Sequence, residues 1–221
     1  MRMLVFATIL LLRGGASAQQ VSSDWLIVPG ERIGPITEST SEAMLQAVFG
    51  SENTESIDVD MGEGFSEPGT AVYPNDASRR LEVVWLDGSR TAPKEVRLTG
   101  QSSKWKTVEG ISLGSTLKEL ERLNGFPFRL AGFAFDYSGT ITDCGRGRLT
   151  MLGCNDADGA FQGRQIIWRL SPSAEARALP EYRQVIGDRV FSSGHPAMQA
   201  LNPCVYQIIV LFAGRLPLRP E

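Results

Sequence analysis

Ile36-Thr-Glu-Ser-Thr-Ser-Glu-Ala-Met-Leu-Gln-Ala-Val-Phe-Gly50 is matched 75 residues later, without a gap, by a second stretch, Ile111-Ser-Leu-Gly-Ser-Thr-Leu-Lys-Glu-Leu-Glu-Arg-Leu-Asn-Gly125. In each stretch an apolar residue leads through a Ser/Thr cluster to apolar positions at helical spacing, and a glycine follows. Ser39 and Thr116 are each followed three residues later by glutamate, the spacing of a capping box. The chain is therefore predicted to contain two related units, each with one short helix.

Strand patterns follow each predicted helix. They cover 56–60, 81–86 and 95–99 in the first unit, and 128–135, 165–170 and 205–212 in the second, with an extra hairpin at 139–152. A helix laid across a small antiparallel sheet buries both apolar faces, so the predicted fold class is α+β, with two tandem units of this kind. We place the units at 19–104 and 105–221. The stretches 62–77 and 171–187, rich in Pro, Gly, Ser, Glu and Ala, are predicted to be surface loops.

The N-terminus has the pattern of a cleaved secretory signal peptide at residues 1–18. Arg2 supplies a positive charge, an apolar run of ten residues follows at 3–12, and Ala16-Ser17-Ala18 has the small residues of a cleavage site. The alternative is a buried first helix or strand. The signal peptide predicts a periplasmic or secreted protein, and the other long apolar run, at 205–213, is too short to predict a membrane span in the mature chain.

The charge balance argues against nucleic acid as a partner. Removing residues 1–18 takes away two arginines and no acid, which leaves 20 basic and 25 acidic residues. A net negative surface does not attract phosphate backbones or anionic membrane surfaces.

In an exported protein the three cysteines would lie in an oxidising compartment, where they allow one disulfide and one free thiol. We favour Cys144 with Cys154 because the loop between them is short. A fully extended strand between the two would hold them too far apart, so pairings with Cys204 stay open.

No metal site or cofactor is predicted. Asn155-Asp-Ala-Asp-Gly159 is similar to the middle of a calcium loop but lacks the first and the closing carboxylates. The acidic residues Asp58, Asp60 and Glu63 are better explained as a solvated edge strand or turn.

Gly110-Ile-Ser-Leu-Gly114 fits the G-x-S-x-G pattern of a nucleophile elbow and precedes a predicted helix. Aspartates lie between Ser112 and His195, so the chain order of a Ser-Asp-His triad is present. The strands, however, follow one another instead of alternating with helices, as that hydrolase fold requires. Thr37 occupies the position of Ser112 in the first unit, which favours a role in leading the chain into the helix.

Aromatic residues indicate binding more than catalysis. A series of aromatic residues occupies odd positions, which a strand would place on one face of the sheet: Phe126, Phe128, Phe133, Phe135 and Tyr137. Such a face is usually core. If part of it is open, together with Trp105, it would form a surface for a partner or a ligand.

Six segments resemble an uncharacterised family of exported bacterial proteins built from two α+β repeats. They are 25–30, 33–37, 49–50, 109–125, 136–139 and 195–208. A looser likeness in layout is to the β-lactamase inhibitor protein and to small outer-membrane-assembly lipoproteins, in which a helix lies over an antiparallel sheet. Those proteins bind other proteins, so the resemblance implies binding, although a fold alone does not fix a function.

The sequence therefore predicts a non-enzymatic protein of the bacterial cell envelope that binds another envelope protein or a small ligand. The alternatives are a serine hydrolase that uses Ser112 and His195, and a purely structural protein.

Overall fold

The computed structural model of the protein describes residues 24–153 and 165–212, so the predicted signal peptide lies outside the described residues. The strands are β1 (Leu26–Val28), β2 (Arg32–Ile33), β3 (Ile36–Thr37), β4 (Thr54–Gly62), β5 (Phe65–Val72), β6 (Leu81–Trp85), β7 (Pro93–Thr99), β8 (Lys106–Thr107), β9 (Arg129–Ala131), β10 (Ile141–Asp143), β11 (Ile166–Ser171), β12 (Val190–Ser192) and β13 (Cys204–Leu211). The helices are α1 (Glu42–Phe49), α2 (Leu117–Asn124), α3 (Ala174–Arg177) and α4 (Pro196–Leu201), with 3-10 turns at Ser51–Asn53, Arg148–Leu152 and Pro180–Val185.

Both predicted helices form, and the second begins at its predicted cap. Thr116 Oγ1 accepts a hydrogen bond from the backbone N–H of Glu119 at 3.2 Å, and the Glu119 carboxylate accepts one from Thr116 N at 2.7 Å. In the first helix the cap is Ser41, so the prediction of Ser39 was wrong by two residues. With Ser41 as the cap, the capping-box position falls on Met44, so Glu42 forms no capping box; its carboxylate accepts hydrogen bonds from Thr70 Oγ1 at 2.7 Å and from Arg90 Nη1 at 2.6 Å.

The main sheet has six strands in the order β11-β13-β7-β6-β5-β4, and every neighbouring pair is antiparallel. Two smaller sheets have the orders β3-β2-β1-β8, in which β1 and β8 are parallel, and β10-β9-β12. Helices packed on antiparallel sheets confirm the α+β fold class. Strand β13 pairs with β7 from Gln207↔Thr99 to Leu211↔Glu95, so strands from both predicted units share this sheet. The division into two units at residue 104 stays a prediction.

One hydrophobic core receives both helices. Leu45 of α1 and Leu120 of α2 are both buried in it, together with Val96 of the central strand β7. The apolar spacing of the first helix predicts a buried stripe of Met44, Leu45 and Val48; this is only partly correct, because Met44 and Val48 are exposed.

The predicted loop at 62–77 is wrong, since it contains strand β5. Gly69 and Pro68 are each compatible with β5 because of where they lie in the strand. A Cβ at Gly69 would lie 2.5 Å from Val59 Cγ2 and 2.7 Å from Val83 O, so the close approach of neighbouring strands requires glycine there. Pro68 pairs with Asp58 of β4 but lies outside the β5–β6 register, so its missing N–H breaks no hydrogen bond to β6.

The predicted strand at 128–135 is also shorter than expected, because β9 ends at Ala131. Ala134 and Tyr137 have left-handed backbones with φ of 63° and 60°, which ends the alternation of a strand and forms a turn. The predicted hairpin at 139–152 reduces to β10 followed by a 3-10 turn.

Candidate functional site

The face of the main sheet opposite Val96 and Leu98 carries a cluster of polar side chains. Strand alternation places Glu95 and Arg97 of β7 on this face. Gln207 of β13 and Arg169 of β11 share it, because Gln207 pairs with both Thr99 and Arg169 in the sheet register. We call this group, together with the overlying Tyr137, the sheet-face cluster; its members are Glu95, Arg97, Tyr137, Arg169 and Gln207.

Glu95 and Arg97 form a buried ion pair in the middle of the sheet. Their side chains are 9% and 7% exposed, and Arg97 Nε donates to Glu95 Oε1. Arg97 Nη1 also donates to the backbone carbonyl of Asp60 at 2.6 Å, which ties the end of β4 to this face. Each charge therefore has a partner, as burial requires.

Arg169 has no such pairing. Its Nη1 donates to Gln207 Oε1 at 2.8 Å, and Gln207 Nε2 in turn donates to Thr99 Oγ1 at 3.2 Å. Its Nε is buried and has no acceptor, and among the described residues no carboxylate forms an ion pair with it. Burial lowers the pKa of Arg169 below its ordinary value, and the nearby Arg97 acts in the same direction. A guanidinium remains protonated in proteins, so the site holds an unpaired, partly desolvated cation.

Tyr137 covers this cation. The Arg169 Cζ lies 4.9 Å from the centroid of the Tyr137 ring, a cation–π contact, and Tyr137 is 43% exposed. The turn is fixed behind the ring, since Thr140 Oγ1 donates to Tyr137 O at 2.6 Å and Leu170 N donates to Gly139 O at 3.0 Å. Tyr137 is thus held on a sharp turn above the sheet while its ring faces both Arg169 and solvent.

Of the four aromatic residues predicted to form a binding surface, two belong to the core, which corrects that prediction for them. Trp105 is 0% exposed, and its Nε1 donates to Arg79 O at 2.7 Å. Phe133 is 2% exposed. Neither ring meets solvent in this conformation. Phe135 is half-buried, so Tyr137 is the member of the set that is both exposed and next to an unpaired charge.

Ser112 and His195 have local structural contacts. Ser112 Oγ donates to Trp105 O at 2.7 Å, which holds the chain as it approaches α2. His195 Nδ1 accepts a hydrogen bond from Ala197 N at 3.2 Å and thereby caps α4. Within the described residues no hydrogen bond joins Ser112 to His195.

The cysteines are only partly described. Cys144 is buried, whereas Cys204 is a half-buried free thiol whose pKa is raised by burial and by the neighbouring Glu119. Cys154 lies outside the described residues, so the disulfide between Cys144 and Cys154 stays a prediction.

Across 24–153 and 165–212, no group of three or more His, Cys, Asp or Glu side chains is placed to hold a metal ion. The calcium-like sequence 155–159 lies outside these ranges. The same described part of the chain has no helix that is both long and apolar enough to cross a membrane.

Comparison with known proteins gives no relative to guide the assignment. No protein-family model matches the chain, and neither the curated proteins nor the solved structures include a match. The resemblance to exported two-repeat proteins therefore stays a prediction.

Sequence reasoning found Tyr137 but missed the charged members of the cluster. The signal was present, because Glu95-Val-Arg97 and Trp168-Arg169-Leu170 place charges at alternate positions within apolar strands. Alternating charge in a strand normally indicates a solvated face. Only the pairing of β13 with both β7 and β11 brings these side chains together.

Proposed function

We propose that this chain is an exported, non-enzymatic binding protein of the bacterial cell envelope and that the sheet-face cluster is its binding surface. The observation that carries the proposal is the exposed Tyr137 ring lying over the unpaired, partly buried Arg169. Tyrosine and arginine are enriched among the residues that dominate binding energy at protein interfaces. The preformed sheet also holds Arg169 rigidly in strand β11, which reduces the entropy lost on binding.

The local contacts of Ser112 and His195 support a non-enzymatic function. A nucleophilic serine needs a general base within hydrogen-bond reach, whereas the Ser112 hydroxyl donates to a backbone carbonyl. We expect a serine-directed fluorophosphonate to leave the folded protein unlabelled. Labelling that disappears in Ser112→Ala would overturn this part of the proposal.

Export is supported by the pattern of residues 1–18. Expression of the full chain in a bacterial host, followed by fractionation and mass spectrometry, should give a periplasmic or secreted protein that begins at Gln19. A cytoplasmic protein that retains residues 1–18 would contradict export without affecting the binding surface.

Binding is tested by comparing two arginine substitutions. The wild type, Arg169→Gln and Arg183→Gln would be used to capture partners from an envelope extract; Arg183 is an exposed arginine outside the sheet-face cluster. We expect a partner that is retained by the wild type and by Arg183→Gln and lost by Arg169→Gln. Circular dichroism would establish that both variants fold. Equal capture by all three proteins, or no specific capture, would overturn the proposed surface.

A further inference from the structure

The geometry points to a more specific ligand: Arg169 binds a carboxylate group, and Tyr137 moves away from the guanidinium to admit it. This inference rests on the proposed function, since it names the chemistry that the sheet-face cluster recognises.

The free donors of Arg169 define the shape of the ligand. A guanidinium has five N–H groups in a planar fork, and the only one with a described hydrogen-bond acceptor is on Nη1, which donates to Gln207 Oε1. Nε is buried and has no acceptor, although proteins rarely leave a buried donor without a hydrogen bond. The edge formed by Nε and Nη2 presents two parallel donors, and a carboxylate accepts both at once. A single ligand group would therefore satisfy the orphaned donor and pair the charge.

The local charge favours a carboxylate over phosphate. Glu95 and Arg97 neutralise one another, so Arg169 leaves the cluster with one excess positive charge. A monoanionic carboxylate cancels that charge. A phosphate dianion would leave an excess negative charge near the buried Glu95, and like charges in a desolvated site repel one another strongly.

The Tyr137 turn is the element that can admit the ligand. Because Nε is fully buried, a ligand reaches it only if a neighbouring group moves. Ala134 and Tyr137 both have positive φ, a conformation that costs energy for residues other than glycine and that is concentrated at functional sites. The ring already faces solvent on one side and lies close to Gly62 on the other, where a Cβ would be 3.5 Å from Tyr137 Cε1. An outward rotation of the Tyr137 side chain therefore uncovers the guanidinium.

The test is a titration of the full chain, labelled with nitrogen-15 and followed through the Arg169 Nε–H signal, which is assigned by its loss in Arg169→Lys. The probes are N-acetylglycine, the uncharged amide of N-acetylglycine, acetate and inorganic phosphate. N-acetylglycine imitates the carboxyl terminus of a polypeptide. We expect saturable shifts with the carboxylates, no shift with the amide, and at least tenfold weaker binding of phosphate. No shift with either carboxylate, an equal shift with the amide, or equally tight phosphate would overturn the inference.

Two substitutions test the roles of the side chains. Arg169→Lys keeps the charge but loses the planar fork, so backbone amide shifts should report at least tenfold weaker binding of N-acetylglycine. Tyr137→Asn removes the ring and keeps a residue that tolerates positive φ, so it should bind the same probe several-fold tighter. Weaker binding by Tyr137→Asn would show that the ring contacts the small ligand and would overturn its role as a cover.

The same measurements distinguish a polypeptide carboxylate from a free small acid, and they distinguish failure of this inference from failure of the proposed function. Tighter binding of N-acetylglycine than of acetate assigns the group to a polypeptide, whereas equal binding assigns it to a free small acid. If no carboxylate binds while capture of a partner still depends on Arg169, the ligand chemistry is wrong and the binding surface stands. If carboxylates bind but no partner depends on Arg169, the carboxylate site stands and the proposed function falls.

Discussion

Replacing Arg97 with methionine is expected to destabilise the fold strongly, because it leaves Glu95 as an unpaired carboxylate inside the main sheet. The two side chains are 7% and 9% exposed, so water cannot replace the lost partner. Removing one member of a buried ion pair costs about 3–5 kcal/mol of the free energy of unfolding. The hydrogen bond from Arg97 Nη1 to Asp60 O is lost as well, which places the expected cost in the upper part of that range.

The matched variant is Glu95→Leu combined with Arg97→Met, which removes both charges together. Replacing a whole buried pair by apolar residues is neutral or stabilising by about 1–4 kcal/mol. The unpaired Asp60 carbonyl offsets part of this, by about 1 kcal/mol. The double variant should therefore lie between about 1 kcal/mol less stable and about 3 kcal/mol more stable than the wild type, and it should be clearly more stable than Arg97→Met alone.

Urea unfolding followed by tryptophan fluorescence measures these differences. With a slope of about 2 kcal/mol per molar urea, Arg97→Met should lower the midpoint by roughly 1.5–2.5 M. Lys94→Met in the same strand is the control, since Lys94 pairs with Glu67 at 2.7 Å in a much more exposed setting, where an ion pair is worth less than about 1 kcal/mol. A double variant as unstable as Arg97→Met, or an Arg97→Met midpoint close to that of the wild type, would refute the reasoning about an unpaired buried charge.

Three further predictions concern groups outside the sheet-face cluster. Tyr73→Phe should be neutral or stabilising by up to about 1 kcal/mol in urea unfolding, because it removes a buried hydroxyl that has no hydrogen-bond partner. Hydrogen bonds from Ser78 and Arg79 lower the pKa of Asp76 to about 2. The ionised Asp76 carboxylate therefore stabilises the fold at pH values above the pKa of Asp76 in the unfolded chain, and this stabilisation is lost as the pH falls toward 2. A pH titration followed by carbon-13 NMR of the Asp76 carboxyl measures this pKa, and an ordinary aspartate pKa would contradict the prediction. Gly139→Ala should prevent stable folding, because its Cβ would overlap Leu170 O, whereas Gly64→Ala, with similar φ and open space, should cost only about 1–2 kcal/mol.

The helices could be predicted from the sequence because their signals are local. The Thr116 capping box, the apolar spacing of α2 and Gly125 lie within ten residues of one another, and each is satisfied by near neighbours. The start of α1 was predicted two residues too early, because Ser39, Thr40 and Ser41 are all residue types that cap helices and Ser41 is the one that does so. Local patterns therefore predict where a helix lies but not which residue of a Ser/Thr cluster caps it.

The strands and the site depended on information that is not local. Strand β5 was mistaken for a loop because the close approach of Val59 and Val83 requires glycine at residue 69, and glycine by itself indicates a turn. The aromatic series ending at Tyr137 was predicted to be one strand face because its spacing is two, but two left-handed residues interrupt the strand. Spacing describes a sheet face only while the backbone stays extended.

The position of the sheet-face cluster follows from the place of β13 in the main sheet. Arg97 belongs to the first predicted unit, whereas Tyr137 and Arg169 belong to the second, and β13 is the strand that pairs with both β7 and β11. Gln207 of β13 links the two sides through its amide, which donates to Thr99 and accepts from Arg169. Neither predicted unit contains the complete cluster, so the cluster forms only when β11 and β13 pair into the sheet that contains β7. A substitution that slips β13 by one residue would turn Gln207 to the opposite face and would separate Arg169 from Thr99, even if both helices kept their places in the core.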